Sequence, residues 1–387
     1  MKFMQFLLTF LNGFHTTFIG LSSVHFDMRD RIYKHYRSLQ MYTILLNILI
    51  LISTPVFFKC AAIYSKPFDG NYLIWFMLFF NVFLYVAFTT LSIVLRWQRE
   101  KQLMAFTIDI SRLELEYFNN WSNDSNDIRF LNKLLYVKVL IMLDQTLMNY
   151  IDTRNLVTSN KFQSAICVFY EVSMTNFLYG IIFQYFMGLW HICTRYYITN
   201  MRLRHLVEQL LQTGTTTSLL ADLISLLRVY DELSSLVFVL NEAFKYQCLV
   251  IFLIYFTNNV FTGYFAVYFV MSGYDIDIWV IIIPVFYYFG ILMDMWLLVT
   301  VCDLILQACK ETSIMLQQLT TLTEYDIRLE RVCEQYCLHS AFNKVRIDVC
   351  GAFEINWRNG FSIMFSILLY TIFLVQSDYK QLYKKKI

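Results

Sequence analysis

Ser362, Ser366, Leu369, Phe373 and Gln376 recur at steps of four, three, four and three, a spacing that sets five side chains on one face of a helix. Two hydroxyls, two bulky apolar groups and an amide suit a water-filled passage. Leucine and phenylalanine would close it by excluding water, and a ring of amides would mark its mouth. The same stripe reads equally well as a helix–helix contact built on small polar residues. Just beyond it, Asp378 adds a carboxylate whose attraction for cations is offset by Lys380, Lys384, Lys385 and Lys386.

A second set is scattered through the apolar stretches. Ionisable groups inside a membrane are costly and are therefore candidates for function, and Asp144 and Glu171 are of that kind. With Gln145, Tyr150, Tyr170, Asn258, Tyr264, Tyr268 and Tyr287 they supply the aromatic walls and few polar groups of a small-molecule pocket. Taken singly, each serves as readily to satisfy a neighbouring helix. Covalent chemistry has no comparable set: there is no phosphate-cradling glycine loop, nucleophile elbow or zinc-protease helix. An enzyme, a cofactor, a metal site and a nucleic-acid partner are therefore not expected. The nine cysteines include no CxxC pair, and most lie in apolar runs or basic loops where thiols stay reduced, so disulfides are not expected either. Cys333, Cys337 and His339 match no common zinc spacing and read as buried structural residues.

The elements that must carry these residues follow from composition. Of 387 residues, 58% are hydrophobic, 16% charged and 18% aromatic, more apolar surface than a globular core of this length hides. Lipid must cover the excess. A hydrocarbon core of roughly 30 Å needs about 20 helical residues to cross it. Apolar runs at 41–62, 72–95, 134–151, 162–190, 246–270, 278–302 and 361–376 predict an all-α, polytopic membrane protein of seven transmembrane helices. The last run, rising only about 24 Å at 1.5 Å per residue, is expected to sit among other helices instead of facing lipid. Residues 1–26 resemble a signal peptide only superficially: Gln5, Asn12, His15 and Thr16 interrupt the apolar stretch, and a re-entrant or interfacial helix is expected.

Loop charge sets the orientation, because Lys and Arg accumulate on the cytoplasmic side. Arg29, Arg31, Lys34 and Arg37 precede the first run; Arg96, Arg99, Lys101 and Arg112 follow the second; Arg195, Arg202 and Arg204 follow the fourth; Arg328, Arg331 and Arg346 follow the sixth. The intervening loops offer little beyond Lys59, Lys66, Arg154 and Lys161. The N-terminus is thus expected in the cytoplasm. Against this stand the basic tail, which seven crossings place outside, and the glycosylation sequons at Asn120 and Asn123 in a loop expected inside. The long basic loops carry apolar residues at helical spacing, such as Leu219, Leu220, Leu223, Leu226 and Leu227, and Leu304, Ile305, Met315, Leu316, Leu319 and Leu322. Helices continuing into a cytoplasmic assembly region are expected, giving a division into 1–302, an anchor region 303–360 and a pore helix with tail 361–387.

The end of the chain reads Leu369-Tyr370, then Thr371-Ile372-Phe373-Leu374-Val375, then Gln376-Ser377. This resembles the Thr-Tyr, five mostly apolar residues, Gln-Phe motif in the last transmembrane helix of insect gustatory receptors, relatives of insect odorant receptors. Leu369 stands for the Thr and Ser377 for the Phe. Upstream, Gly351-Ala352-Phe353-Glu354-Ile355 is similar to the Gly, aromatic and acidic pattern that precedes that helix. The resemblance implies a chemosensory, ligand-gated, non-selective cation channel in the plasma membrane, a homo- or hetero-tetramer with related subunits. It further implies a small-molecule tastant in the outer bundle, lipid around it, and monovalent and divalent cations passing a pore lined by the last helix. A pocket rich in Tyr and Phe suits an aromatic bitter compound, though its Asn, Gln and Glu groups could equally hold a sugar. Ser377 implies an outer constriction that is wider here or completed by another subunit. A G-protein-coupled receptor is the alternative, but none of Pro55, Pro67 and Pro284 follows an Asn and no Glu/Asp-Arg-Tyr triplet ends a third segment. A transporter, the remaining class, would show repeated halves with broken helices.

Overall fold

The computed structural model describes residues 13, 15–27, 32–65, 72–118, 126–155, 161–213, 217–272, 278–320, 327–342 and 345–384. These are helical almost throughout. The helices are α1 (Arg37–Ser65), α2 (Tyr72–Val94), α3 (Arg96–Leu113, continued by a π turn Glu114–Phe118), α4 (Asn126–Asn155) and α5 (Lys161–Thr213). They continue with α6 (Thr217–Ser272), α7 (Ile278–Thr320), α8 (Ile327–Phe342) and α9 (Trp357–Lys384). Two antiparallel hairpins complete the fold: β1 (Val24–Asp27) with β2 (Ile32–His35), and β3 (Asp348–Val349) with β4 (Phe353–Glu354).

Six helices among the described residues are long and apolar enough to cross a membrane, within α1, α2, α5, α6, α7 and α9. The expected third crossing, 134–151, is helical inside α4, but Lys138 and Asp144 within it and Lys133 just before it lower the apolarity of this part of the helix. It packs between α5 and α7, which supply partners that lipid cannot. The expected short seventh segment is a 28-residue helix. The sequence run ends at polar residues, yet Asn356 caps the early start by accepting a bond from the Asn359 N–H (2.9 Å), and Asp378 is buried near the end.

α5 is the central helix, packing against α1, α2, α4, α6 and α7. Its Trp190 indole donates to the Leu131 carbonyl of α4 (2.9 Å), which satisfies the one polar atom of a fully buried ring. Thr16, Ile19 and Leu21 of the N-terminal segment lie against Gly180 of α5. Residues 1–12 and 14, the sequons at Asn120 and Asn123, and Leu322 fall outside the described residues.

At 53 and 56 residues, α5 and α6 are each about 80 Å long, far more than the roughly 30 Å of hydrocarbon. Their far ends build a second apolar core: Leu206 and Leu210 of α5, Leu223 and Leu227 of α6, Leu316 of α7 and Cys333 of α8. Burial there pushes the Cys333 thiol up to about 11, so it remains protonated packing material. Of the loop stripes read from the sequence, Leu223, Leu226, Leu227, Met315 and Leu316 lie in this core and Leu219 and Leu220 pack against it, whereas Ile305 belongs to the main core and Leu304 packs against that one.

The expectation of unpaired thiols fails at one place. Cys60, near the end of α1, and Cys167, in the second turn of α5, form a disulfide with Cα atoms 6.9 Å apart. They are 107 residues apart in sequence, and only the packing of α1 along α5 brings them together. The free cysteines Cys193, Cys248 and Cys302 are buried.

Candidate functional site

α9 is held firmly at its base. The β3–β4 hairpin turns at Cys350 and Gly351, both at positive φ (53° and 71°), a conformation that suits glycine at the second position. The Gly351 N–H donates to the Asp348 carboxylate (2.9 Å), and the chain then enters α9 through the Asn356 cap. On α7, Asp303 accepts the Trp357 N–H (3.3 Å), and Trp296 meets the Trp357 ring edge-on with centroids 3.9 Å apart. A Cβ on Gly360 would lie 2.8 Å from Val299, so the backbone of α9 approaches α7 there as only glycine allows.

Above this base α9 is nearly bare. Only 11% of its membrane-length stretch is buried within the chain, against 56–61% for the spans in α5, α6 and α7. Leu369 is 50% and Phe373 63% exposed, and Ser362 and Gln376 are exposed as well. Ser362 and Ser366 donate to the carbonyls of Arg358 (2.9 Å) and Ser362 (2.8 Å), so their hydroxyls stay close to the helix backbone. Phe365, Leu368 and Ile372 are also exposed, so the open surface is wider than the five-residue stripe. Tyr370 packs edge-on against Phe256 of α6, centroids 5.6 Å apart. Asp378 does not extend the stripe: it is buried and accepts a hydrogen bond from the Tyr264 hydroxyl of α6.

The candidate ligand residues do not form one cluster. Tyr170 is buried and tilted against Phe57 of α1, centroids 4.5 Å apart, beside half-buried Glu171. Asn258 donates to the Tyr85 hydroxyl of α2 (2.7 Å). Asp144 lies against Gly290 of α7, where an added Cβ would come within 3.3 Å of its carboxylate. Gln145 is buried, and its amide nitrogen has no hydrogen-bond partner among the described residues. Tyr264 and Tyr268 pack with Ile74 of α2 and with Leu374 and Val375 of α9, in a cluster separate from Tyr170. The side chains of Tyr150 and Tyr287 lie outside the described residues.

Two buried charge groups escaped the sequence reading. Lys138 of α4 pairs with Asp294 of α7, which also accepts the Tyr255 hydroxyl of α6. Both ionisable residues lie inside apolar runs, so the rule that picks Asp144 and Glu171 finds them too. At the base of α3, Arg96, Arg99 and Glu100 are all buried. The Glu100 carboxylate takes both the Ser23 N–H and hydroxyl, and Arg99 donates to the Leu21 carbonyl (3.0 Å).

Comparison with known proteins supplies the context. A sequence profile described as 7tm Chemosensory receptor matches residues 11–381. Among curated relatives from Drosophila melanogaster, "Putative gustatory receptor 22b" is 30% identical over 52% of this chain and 51% of its own length. "Gustatory receptor for bitter taste 22e" is 28% identical over 47% of this chain and 46% of its own, so the chain spans about half the length of these two relatives. "Putative gustatory receptor 22c" is 22% identical over 94% of both chains. Among solved structures, the insect olfactory receptor OR5 from Machilis hrabei superposes with a TM-score of 0.68 at 11% identity, over 95% of this chain and 97% of that one. Its complex with eugenol gives 0.65 at 12% identity over the same shares.

Proposed function

Because the chain belongs to the 7tm chemosensory receptor family and is thus a multi-pass membrane receptor, not an enzyme, we propose that it is a gustatory receptor of the plasma membrane acting as a ligand-gated, non-selective cation channel. The observation that carries this reading is the bareness of α9, a membrane-length helix with Leu369 and Phe373 exposed and little of its surface covered by its own chain. Four copies around an axis would cover the flanks of that helix and leave one face on a conduit. Leu369 and Phe373 close the conduit by dewetting, and Gln376 rings its mouth. The subunits are identical or mixed with related receptors, and the permeant ions are monovalent and divalent cations. The ligand is a small molecule held in the outer bundle. The bitter-taste relative and the eugenol-bound olfactory receptor favour an aromatic, bitter compound. The direct test is whole-cell recording with a panel of bitter compounds on cells expressing this chain alone and with related subunits, nucleotides omitted and G proteins blocked. Ligand-evoked cation current is expected. Signals that vanish with the G-protein block would replace the channel with a coupled receptor.

We infer from the loop charges that the N-terminus lies inside, and the disulfide supports the same orientation. With the N-terminus inside, the end of α1 and the start of α5 both lie on the extracellular face, the compartment in which disulfides persist. An N-terminal tag is therefore expected to stain only after permeabilisation. Non-reducing digestion is expected to release the Cys60 and Cys167 peptides linked. Staining of intact cells at the N-terminus would invert the topology.

The pocket residues are tested together. Tyr170→Phe, Glu171→Gln, Asn258→Ala and Tyr264→Phe each remove a polar contact worth about 1 kcal/mol, which would move the half-maximal agonist concentration roughly fivefold. Ion selectivity should stay put. Tyr264→Phe also removes the hydroxyl that donates to Asp378 of α9, so its shift should come with an altered closing rate. Four unchanged dose curves would remove these residues from the site.

A further inference from the structure

Lys138, Asp294 and Tyr255 join α4, α7 and α6 in the interior of the bundle, and Asp294 is only 1% exposed. The Lys138 ammonium also lies 5.5 Å from the centre of the Phe186 ring of α5. One turn earlier on α7, Gly290 leaves room for Asp144, so α4 and α7 meet at two successive turns. In the other direction the same helix carries Trp296, Val299 and Asp303, the residues on which the base of α9 is seated. From Asp294 to Asp303 is nine residues of unbroken helix, about 14 Å. A rotation of α7 at its charged end therefore turns the seat of α9 as well.

We propose that Lys138, Asp294 and Tyr255 are positioning residues that lock α7 against α4 and α6 in the closed receptor, and that α7 thereby fixes the seat of α9. Separating opposite charges where no water can replace the partner is costly, so the pair holds one rotational setting of α7. Tyr255 supplies the second hydrogen bond that the Asp294 carboxylate needs in such a site. The inference that the lock bears on gating rests on the reading of α9 as the pore helix. The seating of α9 on α7 does not.

The test uses the full chain with two readouts. The first is independent of conduction. An added Cβ at Gly360 lies 3.4 Å from the Val299 Cβ, close to disulfide spacing, so Val299→Cys with Gly360→Cys should cross-link rapidly under mild oxidation. The second is ligand-independent current per receptor at the surface, with surface amount measured by biotinylation. Tyr255→Phe, the gentle variant, should slow cross-linking and raise basal current about threefold. Asp294→Asn and Lys138→Met should do so by more. Exchanging the charges, Lys138→Asp with Asp294→Lys, should return both readouts towards the parent. The proposal is overturned if surface amounts fall and recover across the series while cross-linking and current per receptor never move, for the network would then serve folding alone. It is also overturned if Tyr255→Phe reaches the surface normally and changes neither readout. Silence of Leu369→Ser in the same cells would count against the pore reading, and the cross-linking rates would still decide the seat.

Discussion

Leu369→Ser and Phe373→Ser will each raise ligand-independent cation current, by about tenfold if the change moves the closed–open balance by about 1.4 kcal/mol. A hydrophobic constriction stays shut because its walls offer water no hydrogen bonds. Four serines in place of four leucines supply such bonds at one level of the passage, and the vapour-like gap fills. Both residues are already uncovered on α9, so the substitutions disturb little of the chain's own packing, and the effect should appear in gating and not in folding. Gln376→Ala should change conductance or selectivity, because it removes amide dipoles without opening the constriction. Tyr370 is 55% exposed but sets its ring on Phe256 of α6, so its substitution should act through that packing and expression and not through conductance. Cysteine substitutions along α9, probed with a water-soluble thiol reagent, fix the face. If positions 370 and 374 react while 369, 373 and 376 do not, the helix is turned and the wrong stripe has been assigned to the pore.

Glu100→Ala will remove most of the receptor from the cell surface. Glu100 is 5% exposed, and its carboxylate holds the Ser23 N–H and hydroxyl (2.8 Å to the latter) and faces Arg96 at 3.8 Å. Burial pulls the Arg99 guanidinium down to about 10, even with the Glu100 charge beside it working the other way. Without the carboxylate, two buried guanidiniums face one another with no counter-charge among the described residues, a loss of about 3–5 kcal/mol. A domain is typically stable by only about 5–15 kcal/mol, so the folded fraction should fall steeply. Glu100→Gln keeps an acceptor for Ser23 and should be milder. Surface biotinylation with thermal melting of the solubilised protein checks both. A wild-type melting curve for Glu100→Ala would mean that the N-terminal segment is not held by this contact.

Local pattern revealed helices well and partners poorly. The charge-free second and fifth runs became spans of α2 and α6, and the leucines from Leu219 to Leu227 lie in or against the second core, because apolar periodicity is written along a single element. Arg96 and Arg99 were visible only as loop charge. Arg96 and Glu100 stand four apart on one helix, but the burial of the group depends on Ser23 and Leu21, the latter 78 residues from Arg99, and no spacing rule reaches that far. Cys60 and Cys167 escaped for the same reason, as did the partnership of Lys138 with Asp294 across 156 residues. The stripe on α9 was legible as a face. What that face meets is not written in one chain if, as proposed, the neighbours that cover it belong to other copies.

The great length of α5 and α6 makes each of them a stiff lever. A rod of about 80 Å that tilts by about 1° about one end moves the other end by roughly 1.4 Å, the size of helix shift by which subunit interfaces switch. The apolar contacts of Leu206, Leu210, Leu223 and Leu227 at the far end act as the fulcrum against which such a tilt works. In the proposed tetramer, softening that fulcrum would dissipate the stroke before it reached a neighbouring copy, leaving a receptor that binds its ligand normally and answers it weakly.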